Sequence, residues 1–352
     1  MISRTTKAAR FYDAGKPLVL EEVPIPELGP RDVLVDIKAS GICGTDVHIA
    51  LEGSIQPPST PITLGHEASG VIAEVGVEVI KWKVGDRVSI YPQEACGECY
   101  WCRSGQESRC TGAKVLGLHI DGGFAEYLKV AARSLIRLPV EIPFEQGAIV
   151  PDAVATPFHA ITARGGLQAG ETVAIFGCGG LGIHGIRIAK LCGASKIIAV
   201  DVSEGALERA REAGADYTVN AGSESPARKI RSLTNGRGVD LSLEFVGLQT
   251  TIDQSVKSLQ MGGKAVIVGI GPQKIETLPP SVFVYGEYQL IGSFGSNIAD
   301  VEKVIRLVAS GRLDLSRSIT AKLPLEEINT GLERLQKKIG NPIRIVVSKE
   351  LS

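Results

Sequence analysis

The chain has 352 residues, room for about two domains at roughly 150 residues each. Hydrophobic residues make up 44% and charged residues 22%, with 38 basic side chains against 39 acidic and a formal net charge of −1. That balance gives no electrostatic case for nucleic acid or an anionic membrane as partner, and no apolar run reaches the ~18–20 residues of a membrane span.

The N-terminus, Met1 to Arg10, is basic and free of acids, as in a transit peptide. It lacks an apolar stretch and leads into Leu18-Val19-Leu20, which reads as strand, so the expected location is the cytoplasm. The first 150 or so residues read as a β-rich unit. Val33, Val35 and Ile37 alternate with polar neighbours, and Val71 to Val75 and Val84 to Ile90 carry further strand signals. Two short segments here set soft or borderline metal ligands beside acids: Cys43-Gly-Thr-Asp-Val-His48 and Gly65-His66-Glu67. Neither alone separates a metal site from ordinary satisfied polar residues.

Four of the seven cysteines, Cys96, Cys99, Cys102 and Cys110, follow in a C-x2-C-x2-C-x7-C run. Without a signal peptide such crowding points to metal rather than to a disulfide framework. Four nearby thiolates can close a tetrahedral zinc shell and leave no open position, which makes the expected role structural. An iron–sulfur run would have three residues before its fourth Cys and then Pro; here there are seven, and Thr111 follows.

From about Thr172 the texture changes to strand–helix alternation, the pattern of a parallel sheet. Val173 to Phe176 reads as a buried strand, Ile183 to Leu191 as an amphipathic helix, and Ile197 to Val200 as the next strand. Ser203 can cap a helix running to Ala213. Strands over Val239 to Phe245, Ala265 to Val268 and Gln289 to Ile291, with a helix from about Thr250 to Leu259, complete the unit. Between the first strand and helix lies Gly177-Cys-Gly-Gly-Leu-Gly182, a G-x-G-x-x-G with glycines at 177, 179 and 182. Such a loop lets a pyrophosphate approach the backbone and meet the positive end of a helix. Asp201 follows Gly182 by nineteen residues, where an acid binds both ribose hydroxyls and repels a 2′-phosphate, which favours NAD over NADP. The plainer reading is a glycine-rich turn with Asp201 as a cap. Cys178 and Cys192 read as small buried fillers. Ile343 to Val347 reads as one more strand.

Taken together, these motifs resemble the zinc-containing medium-chain alcohol dehydrogenase family. Gly65, His66, Glu67, Gly70, Gly76 and Val79 spell GHE-x2-G-x5-G-x2-V, that family's zinc signature, with the cysteine cluster and glycine loop in the family's order. The resemblance implies an α/β chain: a GroES-like, β-rich catalytic domain over residues 1–156, a doubly wound Rossmann domain over 157–294, and a return over 295–352 that completes the first. It implies two zincs, one catalytic and one structural, and NAD(H). Cys43 and His66 match catalytic zinc ligands. The third ligand of many members is a Cys; the matching position here is Asp152, four residues before Thr156. Glu67 matches an acid behind the zinc, and Asp46 the group that orients the His66 imidazole. Thr45 and His48 match a proton relay running by way of the nicotinamide ribose, Arg344 a cofactor-phosphate contact, and Thr156, Leu181 and Val268 positions beside the nicotinamide.

The implied reaction is reversible oxidation of a small-molecule alcohol, with hydride passing to NAD. Around the pocket, Ile49-Ala-Leu51 and Pro92-Gln93 stand where narrow members place tryptophans nearby, which points to secondary or bulkier alcohols. Polyols, amino alcohols and CoA-linked hydroxy compounds stay open. The short loop from Cys110 to Gly123 implies a homotetramer. The competing class is a zinc-stabilised nucleotide-binding protein without turnover, which would lack Cys43, His66 or Thr45; all three are present.

Overall fold

The structure, a computed structural model, describes residues 4–351. The chain divides into two compact units, Met1–Asp152 with Asn297–Ser352, and Ala153–Ser296. The family resemblance places these cuts at 156 and 294.

The first unit is built on the long strand Asp32–Ile42. It pairs antiparallel with Glu67–Val75, with Tyr127–Ala131, and with Arg344–Ser348 from the far end of the chain. Arg87–Ile90 and Leu135–Arg137 extend one side of this sheet, and Ile319–Leu323 the other. A smaller sheet runs Val19–Pro24, Thr5–Phe11, Ile62–Thr63. Val33, Val35 and Ile37 pack with Ile72, Trp82, Val88 and Ile90 in one core cluster. Leu34 is buried as well, so the strand is covered on both faces and simple alternation understates its burial. A second cluster joins Ile42, Val47, Ile49 and Ala50 to Phe124 and Ile345. Each such Ile contributes about 1.5–3 kcal/mol when fully buried, which fixes the strand end from which Cys43 projects.

Two expectations need correction here. Val84 is exposed in a turn, and its strand begins only at Arg87. Ile49 and Ala50, expected around the substrate pocket, face the second core cluster instead. The apolar positions 47, 49 and 50 are used for packing because they lie on a short helix, Gly44–Ala50, that strand-period reading does not reveal.

The second unit is a six-stranded parallel sheet ordered Tyr217–Asn220, Lys196–Asp201, Thr172–Phe176, Val239–Glu244, Leu259–Ile267, Gln289–Gly292. This is the doubly wound 3-2-1-4-5-6 order of dinucleotide-binding sheets. Val173 to Phe176 are buried on both faces, as a central parallel strand requires. Helix Gly180–Leu191 follows, and helix Glu204–Ala213 starts where the Ser203 hydroxyl accepts the Ala206 N–H and stops at left-handed Gly214. The strand Tyr217–Asn220 escapes sequence reading because an edge strand with one buried residue, Val219, has little pattern. Helix Pro226–Leu233 also escapes it, although Ser225-Pro226 is a start signal. Helix Gln249–Lys257 ends earlier than expected, and the strand Leu259–Ile267 begins earlier because Gly262 and Gly263 interrupt its apolar pattern without breaking it. Among the described residues no helix is long and apolar enough to cross a membrane.

Candidate active site

Cys43 follows the buried end of the strand Asp32–Ile42 and opens the helix Gly44–Ala50, where its backbone N–H donates to Asp46 Oδ2 at 2.8 Å. The other oxygen of Asp46 accepts the Gly65 N–H at 3.2 Å and lies 3.7 Å from His66 Nδ1. One fully buried carboxylate thus joins the Cys43 turn to the Gly65-His66 turn and leaves His66 Nε2 for the site. Asp152 arrives on a π-helical turn, Val150–Val154, the kind of irregular turn frequent at functional sites. Its Oδ2 lies 3.5 Å from Cys43 Sγ and 3.6 Å from His66 Nε2. Glu67 sits behind, with Arg344 reaching its Oε1 at 2.9 Å and Asp152 Oδ2 at 3.6 Å. Gly41 is paired with Glu67 across the sheet, and a Cβ there would come within 2.1 Å of Glu67 Oε2, so no larger residue fits.

Electrostatics sharpen this picture. Burial pulls the His66 pKa down, but Asp46, Asp152 and Cys43 outweigh it and leave it well above 6.5. Burial likewise pushes Asp152 up, yet His66 and Arg344 together hold it well below the usual carboxylate range. Glu67 is lifted by burial to about 8 against the pull of Arg344. One donor atom from each of Cys43, His66, Glu67 and Asp152 lies within 4.8 Å of the others. Thiolate, imidazole and carboxylate are the ligands that zinc takes, and both Glu67 oxygens are buried without a well-formed hydrogen bond. The residues fit the metal.

Thr45 lies on the same short helix, its Oγ1 3.9 Å from Cys43 Sγ. His48, one turn on, is half-exposed, with Nδ1 held by Glu52 Oε2 at 2.7 Å. Arg344, expected at a cofactor phosphate, is buried on Glu67 and Asp152. The signal for that pairing was a charge inside the apolar run Ile343 to Val347. The helix that presents Thr45, Asp46 and His48 had no signal beyond Asp46 three residues after its cap.

The second cluster is local. The sulfurs of Cys96, Cys99, Cys102 and Cys110 lie within 4.8 Å of one another, none in a disulfide. Cys96 Sγ is 3.8 Å and Cys99 Sγ 3.5 Å from Cys102 Sγ. Zinc–sulfur bonds of about 2.3 Å in a tetrahedron put sulfurs about 3.8 Å apart, so the four thiols fit a closed zinc shell. The N–H groups of Glu98 and Cys99 pull the Cys96 thiol down to about 6, toward the thiolate a metal needs. The Ser108 N–H in this loop donates to Asn297 Oδ1 at 3.1 Å, at the cap of helix Ile298–Ala309 in the returning chain. Trp82 is core and Trp101 lies in this loop under Arg109, so neither stands beside Cys43.

In the other unit, a Cβ on Gly182 would come 1.8 Å from the Gly177 carbonyl, so helix and strand pack as closely as a phosphate-binding turn requires. A Cβ on Gly179 would meet nothing within 4 Å, which leaves open space at the helix N-terminus for a phosphate. Leu181 lies in the first turn of that helix, Val268 just past the strand Leu259–Ile267, and Thr156 in helix Ala155–His159. Asp201 ends the strand Lys196–Asp201, and its oxygens accept the Cys178 N–H at 2.8 Å and the Ser203 N–H at 2.9 Å. Sequence reading missed this second task. The carboxylate also holds the glycine loop. Cys178 is a buried filler, as expected, whereas Cys192, expected to be one too, is only half-buried.

A mixed thiolate–imidazole–carboxylate site, a four-thiol loop and a dinucleotide-binding sheet on one chain define a zinc- and nicotinamide-dependent oxidoreductase. Comparison with known proteins gives the family. Residues 29–140 match the alcohol dehydrogenase GroES-like domain and residues 180–310 the zinc-binding dehydrogenase domain. The NAD-dependent alcohol dehydrogenase of Sulfurisphaera tokodaii is 34% identical, the match covering 96% of this chain and 99% of that protein. The L-threonine 3-dehydrogenase of Symbiobacterium thermophilum is 36% identical, with 99% of each chain covered. Among solved structures, the alcohol dehydrogenase TADH from Thermus sp. ATN1 superposes with a TM-score of 0.90 at 32% identity, covering 97% of this chain and 99% of that one. The chain belongs to the zinc-containing medium-chain alcohol dehydrogenase family.

Proposed function

We propose that this enzyme reversibly oxidises a secondary or bulky alcohol to the ketone or aldehyde, with Cys43, His66 and Asp152 holding the catalytic zinc and NAD taking the hydride. The observation that carries the reading is the convergence of Cys43, His66, Glu67 and Asp152 donor atoms within 4.8 Å. Zinc bound there supplies a Lewis acid that acidifies an alcohol hydroxyl and stabilises the charge developing on its oxygen. Cys43 and Asp152 supply two negative charges that offset the metal's own, and Asp46 fixes the imidazole face that His66 presents. Arg344 reaches both Glu67 and Asp152 and favours the charged form of each. Thr45 Oγ1 would accept the proton leaving the substrate while releasing its own hydroxyl proton toward His48 by way of the bound ribose. His48 hands it to water through Nε2, because Glu52 occupies Nδ1.

On the cofactor side, Gly177, Gly179 and Gly182 receive the pyrophosphate and Asp201 the ribose hydroxyls, with Thr156, Leu181, Val268 and Arg344 as further contacts. Cys96, Cys99, Cys102 and Cys110 hold the structural zinc. Among the described residues neither Trp82, in the core, nor Trp101, in the cysteine loop, is set beside Cys43, which supports the wider pocket. The reading includes a homotetramer in the cytoplasm, supported by the short Cys110–Gly123 loop, and a stable monomer in light scattering at micromolar concentration would contradict the assembly. The decisive assay follows NADH absorbance across primary, secondary and polyol substrates, with L-threonine included because of the amino-alcohol relative. Secondary alcohols should give the highest kcat/KM. A clear maximum on L-threonine or on a polyol would replace the substrate class, and no turnover on any member would favour nucleotide binding without catalysis.

A further inference from the structure

The six parallel strands form two mononucleotide-binding halves, one ending in Asp201 and its neighbours and the other beginning with Val239–Glu244. The first half has its acid. The second carries a fully buried carboxylate, Glu244, at the C-terminal end of its first strand, where such sheets bind ligands.

Glu244 is bonded on every side to backbone that lines that end. Its Oε1 accepts the Val246 N–H at 2.8 Å, the Gly247 N–H at 2.9 Å and the Thr251 hydroxyl at 2.7 Å; Oε2 accepts Gly247 again at 3.1 Å. Its backbone carbonyl accepts the N–H groups of Val268 and Gly269 at 2.8 and 3.0 Å. The turn so gripped interlocks with both neighbouring loops. A Cβ on Gly269 would come 2.1 Å from Gly247 N, and one on Gly177 would come 2.7 Å from Val246 Cγ2. The carboxylate therefore holds one turn directly, Phe245–Gly247 after the fourth strand in sheet order, while the turn carrying Val268 hangs on the Glu244 backbone carbonyl and packs against that turn.

We propose that Glu244 is a positioning residue for the nicotinamide ring of the dinucleotide, its carboxylate fixing the Phe245–Gly247 turn and, through that turn, the Val268–Gly269 loop against which the ring would lie. The proposal rests on the reading of this chain as NAD-dependent. The need is for an acceptor at both oxygens. Glutamine has the same shape, but whichever way its amide turns, one of the two positions becomes an NH₂ facing the Gly247 N–H, setting donor against donor in a buried site, where an unmade bond is costly. The adenosine half, held by Asp201 and the glycine loop, is left as it is.

Calorimetric titration of the full-length protein with NADH and with ADP-ribose, which keeps everything but the nicotinamide ring, isolates what the ring contributes. Wild type should bind both. Glu244→Gln should lose about tenfold or more in NADH affinity, equivalent to ~1.4 kcal/mol, with ADP-ribose unchanged. Thr251→Val, which removes one donor and spares the carboxylate, should weaken NADH less and also leave ADP-ribose alone. Unchanged NADH binding in Glu244→Gln, or an equal loss for both ligands, would overturn the proposal. Should Glu244→Gln fail to fold, Thr251→Val decides, and no selective loss of NADH there would overturn it. Wild-type protein that binds neither ligand would overturn the NAD reading, and the proposal with it, a failure visible before any variant is made.

Discussion

The four-cysteine loop and the site around Cys43 both gather metal ligands, by opposite routes. The loop draws its four donors from residues 96 to 110, and the chain needs only tight turns to bring them together. The mixed site draws on Cys43, His66, Glu67, Asp152 and Arg344, which meet only because a sheet pairs residues 41 and 67 and brings the returning strand Arg344–Ser348 alongside. A closed shell of one ligand type makes a folding element, whereas a shell assembled by the fold, with varied ligands and a buried ion-pair partner, makes a place for chemistry. Loss of the first should therefore be felt as stability and loss of the second as rate.

The largest effect should come from Cys43→Ser. Turnover should fall by at least a hundredfold, ~2.7 kcal/mol of transition-state stabilisation, in a protein that stays folded and binds NADH. Steady-state kinetics with NADH titration checks this, and a matching loss of thermal stability would erase the distinction between the sites. Cys99→Ser should do the reverse, removing the structural metal and lowering Tm by roughly 5 °C or more, given about 1–2 °C per kcal/mol for a chain this long. Full retention of metal and Tm would remove the structural role. A graded chelator should take activity before it takes the four-cysteine metal, because a carboxylate-bearing set holds zinc less firmly than four thiolates. Simultaneous loss of both would show that the two sites are not distinct in affinity.

The smallest effect concerns the cofactor. Wild type should prefer NAD over NADP by at least about tenfold in kcat/KM, ~1.4 kcal/mol. Asp201→Gly should erode that preference and also lower NAD affinity, since the Cys178 and Ser203 N–H groups lose their acceptor. Equal use of both cofactors by the wild type would overturn the role of Asp201 at the ribose.

Legibility followed the same division. The cysteine loop and the glycine turn were readable from spacing, because all their chemistry lies within a few turns of chain. The βαβ order was readable because buried parallel strands make unbroken apolar runs such as Val173 to Phe176. Cys43, His66 and Asp152 were readable only through family resemblance, since no spacing rule links positions so far apart. The Arg344 pairing with Glu67 and the helix under Thr45 and His48 left only a faint mark, a charge in an apolar run and an acid after a cap, and the Glu244 clamp left none. Each depends on partners chosen by tertiary packing. Ile49 and Ala50 were misplaced for the same reason, because apolar residues next to a site can serve the core.

The central claim is that Asp152 completes the ligand set of the catalytic zinc, a position where many relatives carry cysteine. Its Oδ2 stands 3.5 Å from Cys43 Sγ and 3.6 Å from His66 Nε2. Metal analysis of Asp152→Ala tests this most directly. Bound zinc should fall from about two to about one per chain with loss of turnover, and Asp152→Cys should keep both metals. Two zincs and near-normal turnover in Asp152→Ala would contradict the account.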